Sequence, residues 1–531
     1  MSGYVVQLLW GLLVLSALVG WGRAVGRLAG GPPGDQAADP PDWGLAAGWG
    51  MAALLAAGGV LALAGLARPW VLVALVLGGA AIFAVGLVRR PPRFKGRAWT
   101  FWLLVCVVVV PLVTRYAGAV SYQAMSCTDD DIAYFTYVAR LLQTGTLLEP
   151  FSLRRLSGYG GQTFLQALVV VIGDEDNAYL VDRGVAFIIS FGLVVGFFRG
   201  FRAAPAVPIL AALALTVILP LPLLNSSSHV TGLTMLLTLF RTLHRLPAAD
   251  PTPGPAPGPA GRRRLWLIGL VAAGVASLKA TFLVMAAVTV FAYWLIRALS
   301  EGGSVRRQGA ALAHLAASSL VFLAPWAALL WRSSGTVLFP LFQGNHRPGF
   351  AETYSGAMAL GERLHLLADF FLSPQVALFL TPLVVYAFRR GSPAGLALYA
   401  GVLATATATV STLTYDDLET LHRYAAPFLN AAFIASVVYF LDLILGPAPG
   451  AAARGSAWAA GDGILCLLVV LLLPVPVYHD IQRLTGAVGG TGLAPGNRAV
   501  YTRMQAAVPA GARLFAVVNH PFALDYRRNP V

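Results

Sequence analysis

Apolar stretches close to 20 residues long recur along almost the whole chain, and short segments between them carry most of the charge. Such stretches leave few choices of fold. A helix satisfies its own backbone in lipid and needs about 20 apolar residues to cross the hydrocarbon. Of the 531 residues 57% are hydrophobic and 11% charged, where an ordinary soluble domain carries about 25% charged residues. Those proportions exclude a water-soluble enzyme, and the apolar content excludes a disordered chain. Read between charges and Pro/Gly clusters, the runs lie near 4–22, 46–66, 70–88, 99–118, 178–197, 205–223, 228–244, 265–278, 282–297, 309–331, 373–389, 393–413, 424–446 and 458–478. The expected fold class is therefore an all-α polytopic membrane protein with about 14 transmembrane helices (12–14). The pair 265–278 and 282–297 also reads as one long tilted helix.

The net charge is +14, yet the basic residues sit between spans rather than on a contiguous face, so no nucleic-acid partner is expected. Alternate loops divide by charge. One side receives 20 basic residues, among them Arg23, Arg89, Arg241, Arg245, Arg262 and Arg389, against five acidic ones: Asp35, Asp39, Asp42, Asp250 and Glu301. By the positive-inside rule that side is cytoplasmic, and both termini fall outside. The three cysteines, Cys106, Cys127 and Cys466, form no CxxC pair and make neither a disulfide framework nor a zinc site. The N-terminus lacks a basic n-region, so no cleaved signal peptide is expected.

Four regions follow: extra N-terminal helices over 1–98, a core over 99–446, a last span within 447–478 and an external tail over 479–531. The tail contains a strand-like run, Arg513–Asn519 (RLFAVVN), and reads as a truncated soluble domain or a surface segment. The core holds long external loops over 119–177 and 332–372, and a cytoplasmic Pro/Gly tether within 248–262 that has nothing to pack. The segment 164–173 is too short to span and reads as re-entrant or interfacial. Asp174, Glu175 and Asp176 after it read as a solvated loop.

The first external loop carries the most chemistry. Asp129, Asp130 and Asp131 precede the amphipathic segment Ile132–Gln143, with apolar residues at 132, 135, 138, 141 and 142. Carboxylates there suit a helix N-terminus, where they favour the positive end of the dipole, and the segment suits a helix lying along the interface. The same residues also suit a general base at the membrane surface. Composition leaves both readings open.

The run D-D-x-x-Y-x(10)-G over Asp130, Asp131, Tyr134 and Gly145 resembles the first external loop of the GT-C glycosyltransferases. The likeness is nearest to the protein O-mannosyltransferases (family 39) and the lipid A aminoarabinose transferases. Three further stretches resemble the same family. They are Ser277-Leu-Lys279, the external turn Gly335–Pro340, which departs from the family's Asn-Pro at Thr336 and Val337, and His422-Arg423-Tyr424 with Pro427. The likeness covers about 99–446 of this chain. It implies a GT-C-like core with external juxtamembrane helices. It also implies an enzyme that takes a sugar from a polyprenyl-phosphate donor to a hydroxyl of a lipid, glycan or protein acceptor at the extracytoplasmic face, with inversion.

The resemblance places the general base on Asp130, with Asp131 beside it. Tyr134, Arg154, Arg155, Lys279, His422, Arg423 and Tyr424 become substrate-binding candidates. Lys279 is one of only two lysines; an intramembrane lysine is costly and either contacts a functional group or snorkels. Arg423 suits bidentate phosphate binding, with a pair to Asp416, Asp417 or Glu419 as its plain alternative. Arg154 and Arg155 meet either a phosphate or anionic lipid, and His422 also reads as an ordinary interfacial histidine. No cofactor is expected, a divalent metal being the less favoured option. The Lys-poor composition points to a bacterial cytoplasmic membrane. Two other classes compete: a transporter or flippase of lipid-linked or small substrates, and a surface-polysaccharide polymerase or ligase.

Overall fold

The computed structural model describes residues 2–29, 42–89, 99–120, 130, 134–148, 158–197, 212, 215–216, 227–245, 259–301, 305–339, 342, 344, 358–388, 391–412, 417–445, 475, 477–479, 481–482, 485, 495–514 and 518–530. Among them the chain is helical and has no strand. In order the helices are α1 (Ser2–Leu28), α2 (Trp43–Leu63), α3 (Pro69–Arg89), α4 (Trp99–Gly118), α5 (Phe135–Thr144), α6 (Gly161–Val170), α7 (Phe187–Phe197) and α8 (His229–His244). They continue with α9 (Pro259–Ala276), α10 (Ala280–Glu301), α11 (Val305–Ser334), α12 (Leu360–Leu372), α13 (Pro374–Phe388), α14 (Pro393–Thr412), α15 (Leu418–Leu445) and α16 (Pro495–Ala506). A wider, π-helical turn over Leu180–Ala186 leads into α7.

Eight helices among the described residues are long and apolar enough to cross a membrane, or nine if α12 and α13, bent by 69° at their junction, make one span. This is a multi-pass membrane protein. Helices α8 and α9 occupy expected spans, but α8 has 16 residues and α9 opens on Arg262, Arg263 and Arg264. The expected spans 205–223 and 458–478 lie almost wholly outside the described residues. The ambiguous pair resolves into two helices, because the chain breaks over Ser277–Lys279 between α9 and α10. There the Ser277 carbonyl accepts the Gly161 N–H at 3.0 Å, pinning α6 to the break.

Helices meet in lipid by close backbone approach more than by hydrophobic drive, so small residues mark the tightest crossings. A Cβ added at Gly22 would stand 1.5 Å from the Ala46 carbonyl oxygen, and one at Gly50 1.8 Å from that of Leu18. Helices α1 and α2 are therefore in backbone contact. Helix α1 also ties to α6: Trp10 donates to the Leu168 carbonyl at 2.9 Å and Gln7 to that of Val169 at 2.6 Å. Trp326 of α11 is buried, donates to the Leu55 carbonyl at 2.8 Å and meets Phe164 edge-on. Gly160, with φ +119°, starts α6 against that indole, where a Cβ would lie 2.6 Å from its ring.

At the side assigned to the cytoplasm, Asp42 accepts the Leu45 N–H at 3.1 Å and so caps α2, while also pairing with Arg241 at 2.5 Å and Arg245 at 2.8 Å. Arg241 further donates to the Leu193 and Gly196 carbonyls at 3.0 and 2.9 Å. One buried guanidinium thus joins the ends of α2, α7 and α8.

Several expectations about the external side need correction. Helix α5 forms and ends at Gly145 in a left-handed cap (φ +80°), with its N–H on the Leu141 carbonyl at 2.8 Å. It does not lie open along the interface, however; residues 135–141 are buried. The C-terminal segment covers it. Phe522 packs edge-on to Phe135, Gln143 bonds the Leu524 carbonyl (3.0 Å) and the Tyr526 N–H (2.7 Å), and Arg140 rests on the Tyr526 ring. Burial pulls Arg140 down to about 10 and pushes the Tyr526 phenol up to about 12. The loop acids are not simply solvated either: Arg498 of α16 bonds Glu175 and lies 3.4 Å from Asp174. Within 513–519 the described residues form no strand; the Leu514 N–H bonds the Pro530 carbonyl at 2.8 Å in an irregular turn. The segment expected to be re-entrant or interfacial over 164–173 is mostly the buried helix α6.

Candidate functional site

Four helix ends expected on the external side converge on one hollow. It is lined by Tyr134, Ser227, Ser228, His229, Lys279, Thr281, Phe282, Arg423, Tyr424 and Pro427. Tyr134 comes from the turn before α5, the serines and His229 from the start of α8, Lys279 from the α9–α10 break, and Arg423 and Tyr424 from the first turns of α15. Each cation reaches the hollow because its helix stops or starts there. Pro427 adds to this by lacking the N–H that would bond the Arg423 carbonyl.

The charge of the hollow is positive. The Lys279 ammonium lies 4.7 Å from the Tyr424 ring centroid and the Arg423 guanidinium 5.1 Å from the same centroid. Among the described residues neither is ion-paired. The nearby Asp417 is engaged instead by the Thr420 hydroxyl and the Thr420 N–H, which hold its carboxyl below the usual range. Two partly buried cations against one aromatic ring, with Asp417 acting on Arg423 electrostatically but forming no ion pair with it among the described residues, make a site that favours an anion.

Asp130 stands one helical turn before Tyr134 in sequence, with 0% of its surface exposed, and it is not among the residues lining the hollow. Its carboxylate accepts the Tyr179 hydroxyl. The Arg183 guanidinium lies over the Tyr179 ring at 4.3 Å. Next to it Asp182, also buried, accepts the N–H of Thr231 at 2.8 Å and that of Val230 at 3.3 Å. Asp182 thus holds the start of α8, whose first residue, His229, faces the hollow. Lys279, Arg183 and Arg423 all lie close enough to His229 to act on it electrostatically. Asp130, Tyr179, Arg183 and Asp182 thus form a buried polar group behind the start of α8.

Of the candidates read from sequence, the structure brings Tyr134, Lys279, Arg423 and Tyr424 together. His422 turns elsewhere: its Nε2 is 3.0 Å from the Ser373 hydroxyl at the α12–α13 bend, and its ring rests on Phe370. Asp131, Arg154 and Arg155 lie outside the described residues. The turn starting at Gly335 packs close to the first loop, its Val337 carbonyl accepting the Tyr159 hydroxyl at 2.5 Å. Among the described residues no three His, Cys, Asp or Glu side chains converge as a metal site would need.

Sequence reasoning missed Tyr179, Asp182, Arg183 and His229. Asp182 and Arg183 did carry a signal, being adjacent opposite charges inside an otherwise apolar run. No family model matches the chain, and no curated protein matches it.

Proposed function

We propose that this chain is an integral membrane glycosyltransferase of the GT-C type. It would transfer a sugar from a polyprenyl phosphate to an acceptor hydroxyl on the extracytoplasmic side of a bacterial cytoplasmic membrane. The observation that carries the reading is the hollow in which Lys279 and Arg423 flank Tyr424 without an ion-pair partner among the described residues, one turn of chain from Asp130. A phosphate leaving group needs cations where the dielectric is low, and a lipid-borne one needs them at the membrane surface. The side assignment has independent support. Asp42, Arg241 and Arg245, expected on one side, meet one another, while Tyr134, Lys279 and Arg423, expected on the other, share the hollow. A topology of fourteen spans with both termini outside accounts for both clusters.

In this mechanism the acceptor oxygen attacks the anomeric carbon as the carbon–oxygen bond to phosphate breaks. The acceptor proton passes to Asp130, and the polyprenyl phosphate leaves with its charge met by Lys279 and Arg423. A single in-line displacement inverts the anomeric centre. The Tyr179 hydroxyl occupies the position on Asp130 that an acceptor hydroxyl would take, so the acceptor must displace it. The test is transfer from a radiolabelled decaprenyl- or undecaprenyl-phosphate sugar in nanodiscs. Asp130→Asn should lose about 10²-fold or more in rate while still binding the donor. Unchanged transfer in that variant would remove Asp130 from the chemistry.

Transport is a second reading with its own support. The buried Asp182 and Arg183 lie inside an apolar helix, and α12 and α13 meet at a 69° bend; charges within a span and broken helices are features of carriers. Time-dependent uptake of a lipid-linked or small substrate into proteoliposomes, with no covalent transfer, would favour it.

A further inference from the structure

We infer that His229 is a third ligand of the phosphate, hydrogen-bonding one of its non-bridging oxygens while Lys279 and Arg423 neutralise the others. The inference rests on the anion-binding reading of the hollow and adds a residue that no sequence motif pointed to. The His229 side chain is 6% exposed and lines the hollow. Its Nδ1 is buried and has no hydrogen-bond partner among the described residues. A buried polar nitrogen left unmatched costs free energy comparable to a lost hydrogen bond, so the ring gains from a ligand seated beside it. The backbone on either side is already committed. Asp182 takes the N–H groups of Val230 and Thr231, and the His229 N–H bonds the Ser227 carbonyl at 2.9 Å. Beside the Ser227 and Ser228 side chains, which also line the hollow, the imidazole of this turn can meet a ligand.

The geometry favours a phosphate monoester over a carboxylate. His229, Lys279 and Arg423 come from three separate chain breaks: the start of α8, the α9–α10 junction and the start of α15. Three donors suit the three non-bridging oxygens of the polyprenyl phosphate as it leaves, whereas a planar carboxylate presents two. All three side chains are close enough to interact electrostatically, so an anion drawn by the two cations meets the histidine at the same time.

The test compares wild type with His229→Leu, His229→Gln and Lys279→Ala in phosphatidylcholine nanodiscs, after thermal unfolding of each has been recorded. Leucine fills volume near Phe282 without a donor, and glutamine keeps one. The probes are undecaprenyl phosphate, undecaprenol and dioleoyl phosphatidate, with binding read by native mass spectrometry. His229→Leu should weaken undecaprenyl phosphate about tenfold or more, as loss of a hydrogen bond to a charged group does, and leave undecaprenol unchanged. His229→Gln should stay within about threefold of wild type, given its retained donor. Wild-type affinity in His229→Leu alongside weakened binding in Lys279→Ala would overturn the histidine's role and leave the hollow standing. Equal wild-type binding of undecaprenyl phosphate and undecaprenol would overturn the hollow itself. Histidine-dependent binding of phosphatidate as tight as that of undecaprenyl phosphate would support the role, with a glycerolipid headgroup as the phosphate source.

Discussion

Replacing Asp182 by alanine tests whether a buried carboxylate, rather than the local sequence of α8, holds the hollow's wall in place. Asp182 is 2% exposed and accepts two N–H groups at the start of α8, from Thr231 at 2.8 Å and Val230 at 3.3 Å. Removing a helix cap costs about 1 kcal/mol, within a range of about 0.5–2. The neighbouring Arg183, 6% exposed, acts on that carboxylate only electrostatically. With the Thr231 and Val230 N–H groups both left without this acceptor, each at about 1 kcal/mol, the expected total is about 2 kcal/mol. That is a large share of a typical stability of about 5–15 kcal/mol. Asp182→Asn should lose less, since one side-chain oxygen still caps. Denaturant unfolding in detergent measures the loss, and hydrogen exchange over 229–234 should report a frayed first turn of α8. A loss below about 1 kcal/mol in Asp182→Ala, with exchange over 229–234 unchanged, would refute the reasoning.

Three further substitutions probe two of the supports. Asp42→Ala should destabilise by about 3 kcal/mol or more, because it strands the buried Arg241. Arg245→Ala, removing the exposed partner of the same carboxylate, should cost under about 1 kcal/mol; equal losses would contradict the pairing geometry. Tyr526→Ala empties a buried aromatic site against α5 and should cost about 3 kcal/mol, with new protease cleavage within 134–148 as its signature. Resistance there equal to wild type would show that the C-terminal segment does not hold the loop helix.

Much of the helix layout was legible because lipid imposes a length on every apolar run. The glycine stop at Gly145 was visible as local chemistry, whereas the break at Lys279 stood beside the alternative of one long tilted helix. The convergence of Tyr134, Lys279, Arg423 and Tyr424 agrees with their expected placement on one side of the membrane. Other features depend on distant partners that no local pattern encodes. Asp182 bonds backbone almost 50 residues further on, and nothing near it in sequence announces that target. Helix α5 has the amphipathic pattern of an interfacial helix, but what covers it comes from the other end of the chain. The apolar run after Arg513 looked like a strand by residue type, yet among the described residues no neighbouring strand is there to pair with it, and propensity without a partner does not make a sheet. His422 was grouped with Arg423 by adjacency, but neighbouring positions on a helix point about 100° apart, and the ring faces Ser373 instead.

The most direct measurement is a cryo-electron microscopy map of the protein in nanodiscs loaded with an undecaprenyl-phosphate sugar. The account predicts phosphate density between Lys279, Arg423 and His229, with the sugar directed toward Asp130 and Tyr134 and the prenyl chain running into lipid. Phosphate density at the opposite side, near Arg241 and Arg245, or a hollow that stays empty at saturating donor, would contradict it.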